Sequence, residues 1–201
     1  ELNLSRLKQI GVRFLHGDIR IPGDLDACGP IDLLIDAAAE PSVLAGLDSS
    51  TDYVIQTNLN GTINCLNFAR KHKARFLFLS TSRVYPIQQL ENIRFEETES
   101  RFRISEDQDV PGISVEGVSE NFPLNGARSL YGSSKLASEL FIQEYTELLG
   151  LQAVINRCGV ITGPYQMGKV DQGVVVLWVA RHFWKGPLKY FGYGGQGKQV
   201  R

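Results

Sequence analysis

The sequence predicts an α/β protein built on a doubly wound parallel sheet, and three observations carry that expectation. Short β-branched or aliphatic runs alternate along the chain with amphipathic stretches, the order that places helices on the faces of a parallel sheet. The 201 residues are 43% hydrophobic and 21% charged, a globular balance with apolar material for one sizeable core. Internal repeats and low-complexity segments, which would call for another architecture, are absent.

In chain order, the expected strands are "VRFL" (12–15), "IDLLID" (31–36), "ARFLFLS" (74–80) and "LQAVINR" (151–157). Residues 52–73 read as a crossover helix: Leu59, Ile63, Leu66 and Arg70 recur at helical spacing, and Lys71, His72 and Lys73 complement the dipole at its end. A second helix begins near Tyr131, is expected to turn Leu136, Leu140 and Leu148 inward, and stops at Gly150, which suits a left-handed cap. Between them, Pro86 to Arg128 breaks the rhythm. It holds an alternating pair, "IRFE" and "RFRI", around a polar turn, then the acidic "SEDQD". That pattern predicts an inserted hairpin and long loop, either a lid or wall beside a site or a solvated excursion.

Composition narrows the function classes. A formal net charge of -1 gives no reason to expect nucleic acid or an anionic membrane as partner. The longest apolar run, Val174 to Ala180, is far short of the ~20 residues of a membrane span, and the first residues do not read as a signal peptide. Cys28, Cys65 and Cys158 are scattered and form no Cys-x-x-Cys pair, which points to buried structural thiols in a reducing, cytoplasmic compartment and to no metal site.

The chemistry concentrates in "RSLYGSSKLASEL", residues 128–140. Residues four apart share a helix face, so Tyr131 and Lys135 can bring phenol and ammonium together. A free phenol, with a pKa near ~10, is a poor base at neutral pH, and a nearby cation favours the phenolate. Tyr131 is thus a candidate general base for a hydroxyl; the alternative is a packed tyrosine beside a solvated lysine. "FLFLSTSRVY" is a strand ending in small hydroxyl residues, and ligands bind at strand carboxyl ends in such sheets. Thr81 or Ser82 there can hydrogen-bond the oxygen that Tyr131 deprotonates. After "IDLLID", Ala37, Ala38 and Ala39 lack the bulk that would keep a flat or phosphorylated ligand from the backbone.

Together, "DAAAEPSV", "NLNGT", "LSTSRVY", "YGSSK" with "ASE" after it, "GPYQMGK" and "GGQGKQVR" resemble the extended short-chain dehydrogenase/reductase family of NAD-dependent nucleotide-sugar epimerases and dehydratases, over about Val12 to Arg201. The resemblance implies a Rossmann-like fold, NAD as cofactor, a nucleotide-sugar substrate and, for the full-length protein, a homo-oligomer. It implies Tyr131 as acid/base, Lys135 as holder of the nicotinamide ribose and Thr81 as the third catalytic residue. On the cofactor side stand Asp18 and Ile19 at the adenine, Ala37, Ala38 and Ala39 over the pyrophosphate, Asn58, and Ser80. On the substrate side stand Ser82, Arg83 and Arg201.

Departures from the family pattern shape the expectation. The opening Gly-x-x-Gly-x-x-Gly is absent, so the chain reads as a fragment: residues 1–163 a partial NAD-binding domain interrupted by the 86–128 insertion, and 164–201 the start of a substrate region. Alone it is expected to be inactive. Asp36 stands where many relatives have histidine, and Val160 where they have asparagine. A dehydratase would need an acid/base pair after Thr81, whereas Ser82 and Arg83 are found. The expected reaction is therefore epimerisation through a transient ketone, for which the resemblance implies a CDP-linked deoxyhexose, with NAD-dependent dehydration, nucleotide sensing without catalysis and a purely structural module as the rivals.

Overall fold

The computed structural model describes residues 2–47, 50–167 and 173–188. Its elements run α1 (Leu2–Gln9), α2 (Pro22–Asp26), β1 (Leu33–Asp36), α3 (Asp52–Ile55), a π turn (Gln56–Asn60), α4 (Gly61–Lys71), β2 (Arg75–Thr81), a 3-10 turn (Ser82–Val84), α5 (Ile87–Glu91), β3 (Phe95–Glu97), β4 (Phe102–Ile104), β5 (Ile113–Ser114), β6 (Gly117–Val118), α6 (Leu130–Glu147), β7 (Ala153–Cys158) and α7 (Val174–Phe183). They divide into two compact units, residues 1–84 with 129–161, and residues 85–128 with 162–201.

The first unit is the expected α/β layer. β1, β2 and β7 form a parallel sheet with β2 central, in the register Leu34↔Phe76, Phe76↔Ala153 and Ser80↔Arg157. Side chains alternate across a strand. Phe76 and Phe78 of β2 therefore face one way, where they pack with Cys65, Leu66 and Ala69 of α4, Ile142 of α6 and Leu151 into the core. On the opposite face Leu33, Ile35 and Val154 are exposed. The expected crossover helix is the continuous run α3–π turn–α4, and Lys71 at its end forms an ion pair with Asp26 at 2.7 Å. Burial within that core pushes the Cys65 thiol up to about 12.

Three expectations are corrected. "VRFL" forms no strand: a strand exists through its ladder, none of the described strands runs beside residues 12–15, and Arg13 instead binds the carbonyls of Ala27 and Cys28. Leu140 and Leu148 face outward, because the inward face of α6 is the one bearing Gly132, Ser134, Lys135, Ser138, Glu139 and Ile142. Cys28 is exposed rather than buried, since it sits in the turn that ends α2. Gly150, at φ +70°, is the left-handed cap that the sequence suggests.

The second unit contains the hairpin. Phe95 pairs with Ile104 and Glu97 with Phe102 in an antiparallel ladder, and the Phe95 and Phe102 rings meet edge-on at 4.7 Å. The acidic segment after it is tied back by Arg94, which forms ion pairs with Asp107 at 3.1 Å and Asp109 at 3.0 Å. A second small ladder, β5 with β6, precedes Phe122, whose buried ring meets that of Tyr85 at 5.3 Å.

Candidate active site

Strand β2 ends at Thr81 and the chain leaves the sheet in the 3-10 turn, pinned by a hydrogen bond from the Arg83 amide to Thr81 Oγ1 at 3.1 Å. α6 starts close by, because Ser129 caps it: its Oγ accepts from the Gly132 amide at 3.0 Å. That start places the phenol of Tyr131 near the Thr81 side chain, close enough for the hydroxyl to act on its ionisation. Ser82 is half-buried and Arg83 exposed. Arg83 lies near enough for its charge to act on the phenol.

Burial pushes the Tyr131 phenol above its ordinary value; the Thr81 hydroxyl and the Arg83 charge pull it down without overcoming burial, and Cys158 adds to the rise. The expected lowering by Lys135 is therefore corrected. Lys135, one helical turn on, is 1% exposed and its ammonium sits 3.9 Å from the centroid of the Phe78 ring. Burial lowers its pKa to about 8, while Asp36, then Glu139 and Cys158, favour the charge. Among the described residues the ammonium has no hydrogen bond or ion pair.

The loop after β1 is set by two buried side chains. Asp36 accepts from Thr62 Oγ1 at 2.8 Å and from the Ala38 amide at 3.1 Å. Asn58, at the π turn, accepts from the Glu40 amide at 2.7 Å and donates to the Glu40 carbonyl at 3.1 Å and to Ser134 Oγ at 3.0 Å. Its amide is thus spent inside the protein, and any contact with a cofactor from this position is indirect, through the loop it holds. Ile19, Ala37 and Ala38 come together in the wall of one open groove of about 410 Å³ along β1, with Ala39 half-buried beside them. Asp18 is bound by Arg20, with Nη2 at 2.5 Å from Oδ2, and that guanidinium lowers the carboxyl to about 2. Arg201 lies outside the described residues.

Ser80 differs from its expected place on the cofactor side. Its hydroxyl is donated to Glu139 Oε1 at 2.5 Å, toward α6. Glu139 is the site neighbour that sequence reasoning missed, although its spacing, four residues after Lys135, was the available signal.

The Lys135 ammonium, without a protein oxygen partner among the described residues, suits the ribose hydroxyls of NAD, and the mainly apolar groove along β1, with Ala37 and Ala38 at the carboxyl end of that strand, suits a ligand that lies against backbone. The residues fit. No group of His, Cys, Asp and Glu able to hold a metal ion occurs among the described residues.

A family model described as the NAD dependent epimerase/dehydratase family matches residues 2–201. The chain is 29% identical over 214 residues to a CDP-paratose 2-epimerase of Salmonella typhi, covering 99% of this chain and 58% of that one. It is 30% identical over 159 residues to a dTDP-glucose 4,6-dehydratase of Mycolicibacterium smegmatis, covering 77% and 40%. A dTDP-glucose 4,6-dehydratase from Streptomyces venezuelae, solved with NAD bound, superimposes with a TM-score of 0.68 at 26% identity over 96% of this chain and 52% of that one. The chain thus spans about half the length of the proteins it matches. With the parallel sheet, the Tyr131–Lys135 face and the groove along β1, these similarities lead to one conclusion: the chain belongs to the NAD-dependent epimerase/dehydratase family.

Proposed function

We propose that the whole protein is a nucleotide-sugar epimerase in which Tyr131 Oη moves the proton of a sugar hydroxyl, acting on a CDP-linked deoxyhexose. The observation that carries this reading is the meeting of Tyr131, in the first turn of α6, with Thr81 at the carboxyl end of β2. Bound NAD supplies reversible hydride transfer at a sugar carbon. Lys135, with Ala37, Ala38 and Ala39, Asp18 and Ile19, holds it, and Asn58 acts by fixing the loop at Glu40.

Thr81 Oγ1 orients the sugar oxygen toward the phenol, and Tyr131 Oη takes the proton as the carbon–oxygen bond becomes a carbonyl and gives it back on reduction. Ser82, Arg83 and, in the segment beyond the described residues, Arg201 bind the substrate, the guanidinium suiting a pyrophosphate because its fork reaches two oxygens. Exposed Leu140, Phe141 and Leu148 on α6 are available to a homo-oligomeric contact.

Dehydration is the second reading, favoured by the dehydratases among the relatives. Ser82 and Arg83 weigh against it, since neither supplies the carboxyl acid that removal of a hydroxyl as water needs. The two separate by product mass: incubated with NAD and a CDP-linked deoxyhexose, the full-length protein should return a product of unchanged mass with one carbon inverted. A product lighter by one water overturns the epimerase reading.

A further inference from the structure

Glu139 is 1% exposed, and every polar contact it makes runs to the two strands that end at the site. Oε1 accepts from Ser80 Oγ at 2.5 Å and from Arg157 Nε at 3.2 Å; Oε2 accepts from Arg157 Nε at 3.1 Å and Nη2 at 2.8 Å. Ser80 and Arg157 are register partners across β2 and β7, and the next pair in that register is Thr81 with Cys158. One helical carboxylate therefore grips β2 and β7 one residue before each ends. On α6 itself, Glu139 follows Lys135 by four residues and Tyr131 by eight, so all three share a face.

A buried carboxylate is tolerated only when its charge is paired and its oxygens are satisfied. A leucine here would bury the same area without desolvating a charge. What the ionic bridge adds is direction: two fork bonds and a short hydroxyl bond fix the helix along and across the strands, where apolar packing would let it slide.

We propose, on the reading of Tyr131 given above, that Glu139 is a positioning residue whose bridge to Ser80 and Arg157 sets the Tyr131 phenol against Thr81. It touches neither phenol nor substrate and acts through the strand ends.

The test reads the effect of Thr81 on the Tyr131 phenol in the full-length protein. Tyrosine labelled with carbon-13 at Cζ is followed through pH by NMR, with Tyr131→Phe assigning the signal. The groups acting on the phenol are Thr81 and Arg83 after β2 and Cys158 on β7; Glu139→Gln replaces none of them, and it removes one of the charges that favour the Lys135 ammonium. Thr81→Val removes the hydroxyl outright and should raise the midpoint by about one pH unit. Glu139→Gln should raise it to the same value, and the double variant Thr81→Val with Glu139→Gln no further. Should Glu139→Gln fail to fold, Ser80→Ala, which removes a single hydroxyl, should move the midpoint in the same direction by a smaller amount. A folded Glu139→Gln or Ser80→Ala variant with the wild-type midpoint overturns the proposal. The proton-transfer role of Tyr131 is tested separately by turnover of Tyr131→Phe, so either idea can fail alone.

Discussion

The ammonium of Lys135 lies 3.9 Å from the centroid of the Phe78 ring, so the helix that carries the reactive phenol also presses a cation onto the aromatic wall of the central strand. A ring face attracts a cation, yet it offers less than water does, and burial leaves Lys135 with a pKa of about 8.

That burial costs stability. Lys135 is held below its unfolded value, so between the folded pKa of about 8 and the ordinary lysine value of 10.5 the unfolded chain binds more protons and stability rises with pH. Lys135→Met should therefore stabilise the protein without NAD at pH 7 by roughly 1–3 kcal/mol. The gain should fade above pH 8. Urea midpoints at pH 7 and pH 10 check both statements, and NAD affinity should fall in the same variant.

Thr81→Val should shift the activity profile of the whole protein. The phenol acts as base only when ionised, and Thr81 favours the ionised form against the dominant effect of burial. Removing that hydroxyl raises the phenol pKa further, so the rise of rate with pH should move up by about one unit. An unshifted profile would show that Thr81 does not support the phenolate.

Asn58→Ala should loosen the loop after β1. It leaves the Glu40 amide and carbonyl and the Ser134 hydroxyl without this partner in the interior, a loss of about 2–4 kcal/mol. Denaturant unfolding measures it, and hydrogen exchange should show the Glu40 amide losing protection first.

Gly112→Ala tests the second unit. Gly112 sits at φ +79°, and an added Cβ would lie 2.5 Å from the Phe122 backbone nitrogen, so both the dihedral and the contact resist it. The cost should exceed ~2 kcal/mol. Faster exchange confined to residues 85–128, with β2 amides unchanged, is the expected pattern.

The parallel sheet was legible because β2 and β7 open on short apolar runs, and Tyr131 with Lys135 because helical spacing alone puts them together. The inward face of α6 was not. Leu140 and Leu148 read as core by hydropathy, but the sheet receives the helix on the side of Lys135, Ser138 and Glu139, where the Ser138 hydroxyl and the Glu139 carboxylate each find a partner. Neither could sequence separation reveal the Ser80–Glu139 bond, which joins residues 59 apart. "VRFL" failed for a related reason: hydropathy marks a segment able to pair, while a strand also needs a neighbour.

The central claim is that Tyr131 Oη carries the proton. The most direct measurement is turnover of a CDP-linked deoxyhexose by full-length Tyr131→Phe, with circular dichroism and NAD affinity recorded on the same sample. The account requires a rate lower by about a hundredfold or more with fold and cofactor binding retained, since only a hydroxyl has been removed. A correctly folded variant turning over at close to the wild-type rate, with the same dependence on pH, would contradict it.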